Sequence, residues 1–254
     1  FRRVLFRSQG PYGTGRPYRV VREEPAAIGL PDLGPLAMLA IGGLALAIAV
    51  GAGGALAGQW ETILLWLNRV PFGTDPASPV VDPVFGRDIA WFLFELPFLR
   101  LAQGTVNGLV LASLFVAAMG YLVAATRGRD VLATPVRVHL GVLAGMFLLS
   151  TAFGYQLDKY ELAYSANGVA TGVSFTDANA RFFAYDLLTV VSGLAAAFLV
   201  GGAFTRWLWP LGATMVVWLL ASFFVGTLYP AAVQRFTVEP NKFAQEERFI
   251  GNNI

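Results

Sequence analysis

The sequence predicts an all-α fold: a polytopic integral membrane helical bundle with five transmembrane helices plus interfacial helices. Three observations carry that expectation. Only 13% of the 254 residues are charged and 56% are hydrophobic, with a mean hydropathy of +0.60, whereas soluble domains carry about 25% charged residues. Charge-free runs recur along the chain. The central one, Leu101–Thr126, is bounded by Arg100 and Arg127 and as a helix would reach about 39 Å, beyond the roughly 30 Å hydrocarbon core of a bilayer. Finally, 20 Phe and 6 Trp supply lipid-facing and interfacial rings.

Composition also excludes several function classes. The sequence has no Cys and a single His, His139, so disulfides, Cys nucleophiles, thiolate metal sites and a multi-His metal site within it are ruled out. The net charge of +2 and pI near 9.1 reflect Arg at the ends of apolar runs rather than a nucleic-acid-binding stripe. The expected partner is the lipid bilayer, with membrane or envelope proteins beside it and no nucleic acid. No P-loop, HExxH or GxSxG motif occurs, and nothing calls for a cofactor.

Taken in order, residues 1–32 are polar, Arg-rich and punctuated by Gly and Pro, which predicts an irregular cytoplasmic segment. A transmembrane domain is expected over residues 33–234. Its first span, about residues 33–60, has a middle rich in small residues, with Gly54 and Gly58 four apart on one helix face and suited to close helix approach. Trp60, Ile63, Leu64 and Leu67 then fall at helical spacing, predicting a short amphipathic helix in the interface. Pro71, Gly73, Pro76, Pro79 and Pro83 interrupt regular helix. Ile89–Leu99 is aromatic, too short to span and interrupted by Glu95 and Pro97, so a separate interfacial or re-entrant segment is expected.

The second span is about residues 101–126. After a short loop carrying Arg127, Arg129 and Arg137, the third covers about residues 138–157, with Gly141 and Gly145 on one face and His139 one residue inside its end. A polar connection from Asp158 to Asp186 leads to the fourth span, about residues 187–205, whose small-residue row is Gly193, Ala197 and Gly201. Arg206 separates it from the fifth, about residues 207–229, where Pro210 fits the first turn and Pro230 is expected to help stop the helix. Residues 235–254 read as the start of an extracytoplasmic region.

Charge orients the chain. The loop from Arg127 to Arg137 holds three Arg, whereas Asp158–Asp186 holds only Lys159 and Arg181; the excess predicts a cytoplasmic N-terminus and an extracytoplasmic C-terminus in the plasma membrane. Candidate functional residues then fall in two outer loops: Asp82, Arg87, Asp88 and Glu95 in one, Asp158 and Asp177 in the other. Paired carboxylates could serve as a general acid and base, or bind a divalent cation. The plainer expectation is that Asp-Pro starts turns and charged residues mark the water interface. His139 likewise reads as an interfacial histidine, because no span offers it a mid-membrane carboxylate partner.

Several stretches occur together in a characteristic order: Asp82-Pro83-Val84-Phe85-Gly86-Arg87-Asp88, Phe94-Glu95-Leu96-Pro97-Phe98, Leu157-Asp158-Lys159-Tyr160-Glu161-Leu162, Phe175-Thr176-Asp177-Ala178-Asn179-Ala180, and Tyr229-Pro230-Ala231-Ala232-Val233-Gln234-Arg235-Phe236 followed by Glu246. In this order and spacing the sequence resembles the bacterial uncharacterised protein family (UPF) 0182 over roughly Arg16 to Ile254. The resemblance implies a plasma-membrane protein of seven spans followed by a large extracytoplasmic domain, of which this chain would hold spans three to seven. The family has Tyr where this chain has Phe175, and it brings no assigned catalytic residues. The expected role is the membrane-anchoring and assembly module of an envelope protein. Rival expectations are a transporter or channel subunit, motivated by Gly51, Gly53 and Gly54 as a point of unwinding near the midplane, and an envelope enzyme working through Asp82, Asp88 or Asp177.

Overall fold

A computed structural model describes residues 34–73, 80–166, 171–205 and 209–253. The polar segment of residues 1–32, Asp75 and Arg206 lie outside the described residues. The fold among the described residues is all-α: α1 (Gly34–Ala57), α2 (Trp60–Leu67), α3 (Leu96–Thr126), α4 (Thr134–Glu161), α5 (Phe182–Gly202), α6 (Trp209–Phe223), α7 (Tyr229–Val233) and α8 (Lys242–Asn253). Their only β feature is an isolated antiparallel bridge between Val81 and Asp88. Five helices are long and apolar enough to cross a membrane, and they cover the five expected spans.

Local sequence explains the helix ends. Pro135 sits in the first turn of α4, where a missing N–H leaves no hydrogen bond unmade. Gly128, at φ +75°, closes α3, with Gly128 N–H donating to the Ala125 carbonyl and Arg129 N–H to that of Ala124; the left-handed conformation favours glycine there.

The helices continue further than the apolar runs alone suggest. Ile89–Leu99 is not a separate segment: a single wide π turn, Trp91–Glu95, joins it to α3, so one rod of 36 residues runs from Trp91 to Thr126. Pro97 does not break this rod, because it follows the widened turn and the Phe92 carbonyl behind it accepts the Tyr164 hydroxyl at 2.7 Å. Likewise, Pro230 does not stop the fifth rod, which runs from Trp209 to Asn252. The π turn Phe224–Leu228 directly precedes it, and a widened turn relieves the clash between a proline ring and the carbonyl four residues back. Most of the expected polar connection from Asp158 to Asp186 is helical too, since α4 extends to Glu161 and a π turn, Asp177–Arg181, opens the α5 rod.

Packing is densest along α4 and α5, then α3 and α4, with α1 resting on α3 and α6 on α5. Gly141 and Gly145 face α5: a Cβ on Gly141 would lie 2.7 Å from Ala203 Cβ, and one on Gly145 would lie 2.6 Å from Val200 Cγ2. The other expected small-residue contacts do not form. A Cβ on Gly54, Gly193 or Gly201 would meet nothing within 4 Å, and one on Gly58 only carbonyls of its own helix. The main core joins Leu148 of α4, Ala195, Ala196 and Leu199 of α5, and Trp218 of α6. Inside it, the Trp218 indole N–H donates to Ser192 Oγ over 2.8 Å, both groups buried. Trp218→Phe is expected to lower stability by about 1–3 kcal/mol, because the Ser192 hydroxyl loses its buried partner; unfolding titrations in mixed micelles measure it.

Candidate functional site

Alternating helix directions bring the C-terminal end of α4, the N-terminal ends of the α3 and α5 rods and the segment beyond α6 to one end of the bundle. The chemistry gathers there. A smaller core of Phe92, Leu96 and Leu157, with Phe85, Trp91 and Tyr160 packed on it, forms the floor. Phe85 is the centre of an aromatic cluster, its ring 5.8 Å from Phe92, 5.2 Å from Tyr160 and 5.4 Å from Phe182.

The turn that delivers Phe85 explains Asp82. Asp82 Oδ1 accepts the N–H groups of Val84 (2.9 Å) and Phe85 (2.6 Å), and Gly86 takes φ +64°, an aspartate-nucleated turn with glycine where the backbone turns left-handed. Asp88 accepts the Ala90 N–H at 2.7 Å as the following rod begins, as a helix-capping carboxylate does. Arg87 lies against two rings, 4.5 Å from the Trp91 centroid and 4.8 Å from that of Tyr160, and donates to Tyr160 Oη over 3.2 Å. These are cation–π distances. Glu95 pairs with Arg69 Nε at 3.1 Å, linking the segment after α2 to the start of the α3 rod.

Deeper in the cap, Arg100 joins α3 to α4: it bonds Asp158 and, over 2.6 Å, Glu161. Lys159 bonds both oxygens of Asp186, at 3.0 and 2.8 Å, which ties α4 to α5. Asp177 is fully buried. Its Oδ1 accepts from Arg181 Nη1 at 2.7 Å, and its Oδ2 from the Ser174 N–H at 3.0 Å. Two neighbours extend this layer to the end of the chain: Thr176 bonds Gln234, and Glu246, 2% exposed, accepts the Phe175 N–H at 3.1 Å. Phe175 packs edge-on against Phe249, 6.2 Å away.

The structure gives each of Asp82, Asp88, Glu95, Asp158 and Asp177 a hydrogen-bonding or ionic partner. Asp177 and Arg181 line a cavity of about 410 Å³ with Thr176 and Gln234. Arg69, Arg87, Asp88 and Glu95 line another of about 590 Å³. Among the described residues, no three His, Asp or Glu side chains come together as a metal site. At the opposite end, His139 is exposed and its Nδ1 lies 2.8 Å from Tyr121 Oη.

Sequence reading did not single out Arg100, Ser174, Gln234 or Glu246 as site residues. For Glu246 the signal is its helical spacing, three and four residues before Phe249 and Ile250, which puts it on the face that α8 turns inward. For Ser174 the signal is local, since Ser174 and Asp177 three residues on exchange backbone-to-side-chain hydrogen bonds in the pattern of a helix start; for Gln234 no local pattern exists, because its partner Thr176 is far along the chain.

No solved structure matches the chain. Curated relatives do. A UPF0182 protein of Desulforamulus reducens is 32% identical over 83% of this chain and 22% of its own length. One of Clavibacter sepedonicus is 36% identical over 87% of the chain and 23% of its own length. One of Trichlorobacter lovleyi is 33% identical over 99% of the chain and 27% of its own length. The chain thus spans about a quarter of the length of these relatives. The sequence profile of the family matches residues 31–254, and the chain belongs to the uncharacterised protein family UPF0182.

Proposed function

We propose that this chain is the membrane-anchoring and assembly module of a larger envelope protein, with a cytoplasmic N-terminus and its polar cap outside the plasma membrane. The observation that carries the reading is the separation of charge from the apolar rods. Every Asp and Glu among the described residues except Asp130 belongs to the capped end, while the apolar runs of α1, α3, α4, α5 and α6 carry none. Arg127, Arg129 and Arg137 mark the opposite end, in line with the bias of cytoplasmic loops. Transport machinery places ionisable groups or broken helices at mid-membrane. Here α1 stays helical through Gly51, Gly53 and Gly54, so the feature that motivated a transporter is not seen. The ion pairs among α3, α4 and α5 hold a rigid platform on which the remaining three-quarters of such a protein can be assembled.

Single cysteines in this Cys-free chain test the orientation. Ser165 is buried but its neighbour Ala166 is exposed, as is Thr134. In intact cells a membrane-impermeant maleimide is expected to label Ala166→Cys and not Thr134→Cys; the reverse pattern would invert the topology. Solute flux through liposomes holding the protein, above that of empty liposomes, would count against an anchoring role.

A further inference from the structure

Two recesses meet at the Arg100–Glu161 ion pair of the cap. The first is an apolar groove of about 700 Å³ between α1 and α3, lined by Gly51, Ala52 and Ala55 on one side and by Gly104 and Gly108 on the other. A Cβ at Gly51, Gly104 or Gly108 would meet nothing within 4 Å, so the groove is open where these glycines face it, between Ile48, Leu56 and Leu109. The second is a recess of about 500 Å³ in which Thr62, Glu161 and Tyr164 lie beside Leu96 and Pro97. Gln59, Arg100 and Leu101 line both. Together they form one slot with an apolar shaft and a head that carries Arg100 and Glu161.

Its dimensions and position suit a lipid. Arg100 sits where the uncharged run of α3 begins, and from there to Gly108 the shaft descends about 12 Å along the helix, into the depth of the acyl chains. An acyl chain gains little by leaving other lipid tails for an equally apolar groove, so selectivity has to reside in the head. There, one guanidinium faces two carboxylates: Arg100 bonds Glu161 through Nε and Asp158 through Nη2, leaving further N–H groups of the fork for an acceptor. The cluster is negative by one charge overall, which disfavours a headgroup whose only charge is a phosphate. A headgroup carrying both a phosphate and a primary ammonium complements it, with phosphate on Arg100 and ammonium on Glu161, each through charge-assisted hydrogen bonds.

We infer that this slot binds a phospholipid of the phosphatidylethanolamine class, with one acyl chain in the α1–α3 groove and its headgroup on Arg100 and Glu161.

Native mass spectrometry of the full chain, released from micelles containing equal phosphatidylethanolamine and phosphatidylglycerol, tests it. The expected result is retention of phosphatidylethanolamine over phosphatidylglycerol by about tenfold. The double variant Gly104→Leu, Gly108→Leu puts two side chains into the shaft where a Cβ meets nothing within 4 Å and should lower that retention about tenfold. Gly51→Leu, on the facing helix, should do the same if the double variant unfolds. Glu161→Gln should abolish the headgroup preference while lipid is still retained. Equal retention of the two lipids by the unsubstituted chain would overturn the inference. So would undiminished phosphatidylethanolamine on the shaft-filled variants, or a groove closed by a second copy of the chain in a lipid-free dimer.

Discussion

Asp177→Ala is expected to destabilise the folded chain by about 2–3 kcal/mol, the largest effect of any single change in the cap. Asp177 is 0% exposed and is the acceptor for two groups, the Arg181 guanidinium and the Ser174 N–H. Removing one partner of a buried ion pair costs roughly 3–5 kcal/mol, because the other charge stays desolvated. The Arg181 side chain is 29% exposed, so water recovers part of that loss, and the expectation falls below the range for a fully buried pair. Asp177 also lies in the first turn of the α5 rod, where a negative charge opposes the positive end of the helix. Asp177→Asn keeps an acceptor for the Ser174 N–H and loses the charge, so it should fall between wild type and alanine. Equilibrium unfolding in mixed micelles measures both. An Asp177→Ala chain as stable as wild type would contradict the structural role given to this carboxylate and return it to the candidates for chemistry.

Gly145→Leu is the second large effect, about 3 kcal/mol of destabilisation, at the high end of overpacking costs. Its Cβ alone would lie 2.6 Å from Val200 Cγ2 and 3.3 Å from the Ala196 carbonyl oxygen, and the rest of the side chain has to enter the same seam. Because the obstacle includes α5 backbone, relief requires α4 and α5 to move apart, which opens the core around Leu148 and Leu199. Gly193→Leu is the matched control. It adds the same side chain to α5 where a Cβ meets nothing within 4 Å, and it should leave stability within about 0.5 kcal/mol of wild type. Equal losses for the two variants would mean that helix approach does not depend on Gly145.

The contrast between these glycines marks how far the sequence could be read. Length and absence of charge identify apolar helices because the bilayer imposes one thickness on all of them. They do not say which face of a helix meets a neighbour. Gly54 with Gly58 and Gly141 with Gly145 share the same spacing, and Gly193 with Gly201 is twice it, yet of these only Gly141 and Gly145 lie in a helix seam. In lipid the apolar driving force that would tell an inside face from an outside face is missing. Helix ends were misjudged for a related reason. Pro97 and Pro230 read as breakers, but each sits beside a π turn, Trp91–Glu95 or Phe224–Leu228, and no single-residue signature announces such a turn.

The candidate site was legible in part. Asp82 in an Asp-Pro turn follows from local chemistry, and the turn occurs. The partners of Arg100 and Asp177's layer do not, because they come from helices far apart in sequence: Arg100 with Asp158 and Glu161, Thr176 with Gln234, and Phe175 with Glu246. The Phe175 position illustrates the limit. A tyrosine there would suggest a hydroxyl role, whereas in this chain the ring packs on Phe249 and the polar contact is made by its backbone N–H.

All of this depends on lipid surrounding the five apolar helices, and flotation tests that most directly. The purified chain is mixed with liposomes, detergent is removed, and the sample is spun in a density gradient. The expected result is complete migration of the chain with the lipid band, resistant to alkaline carbonate. A chain that stayed in the dense fraction as a dissolved monomer would contradict the membrane fold.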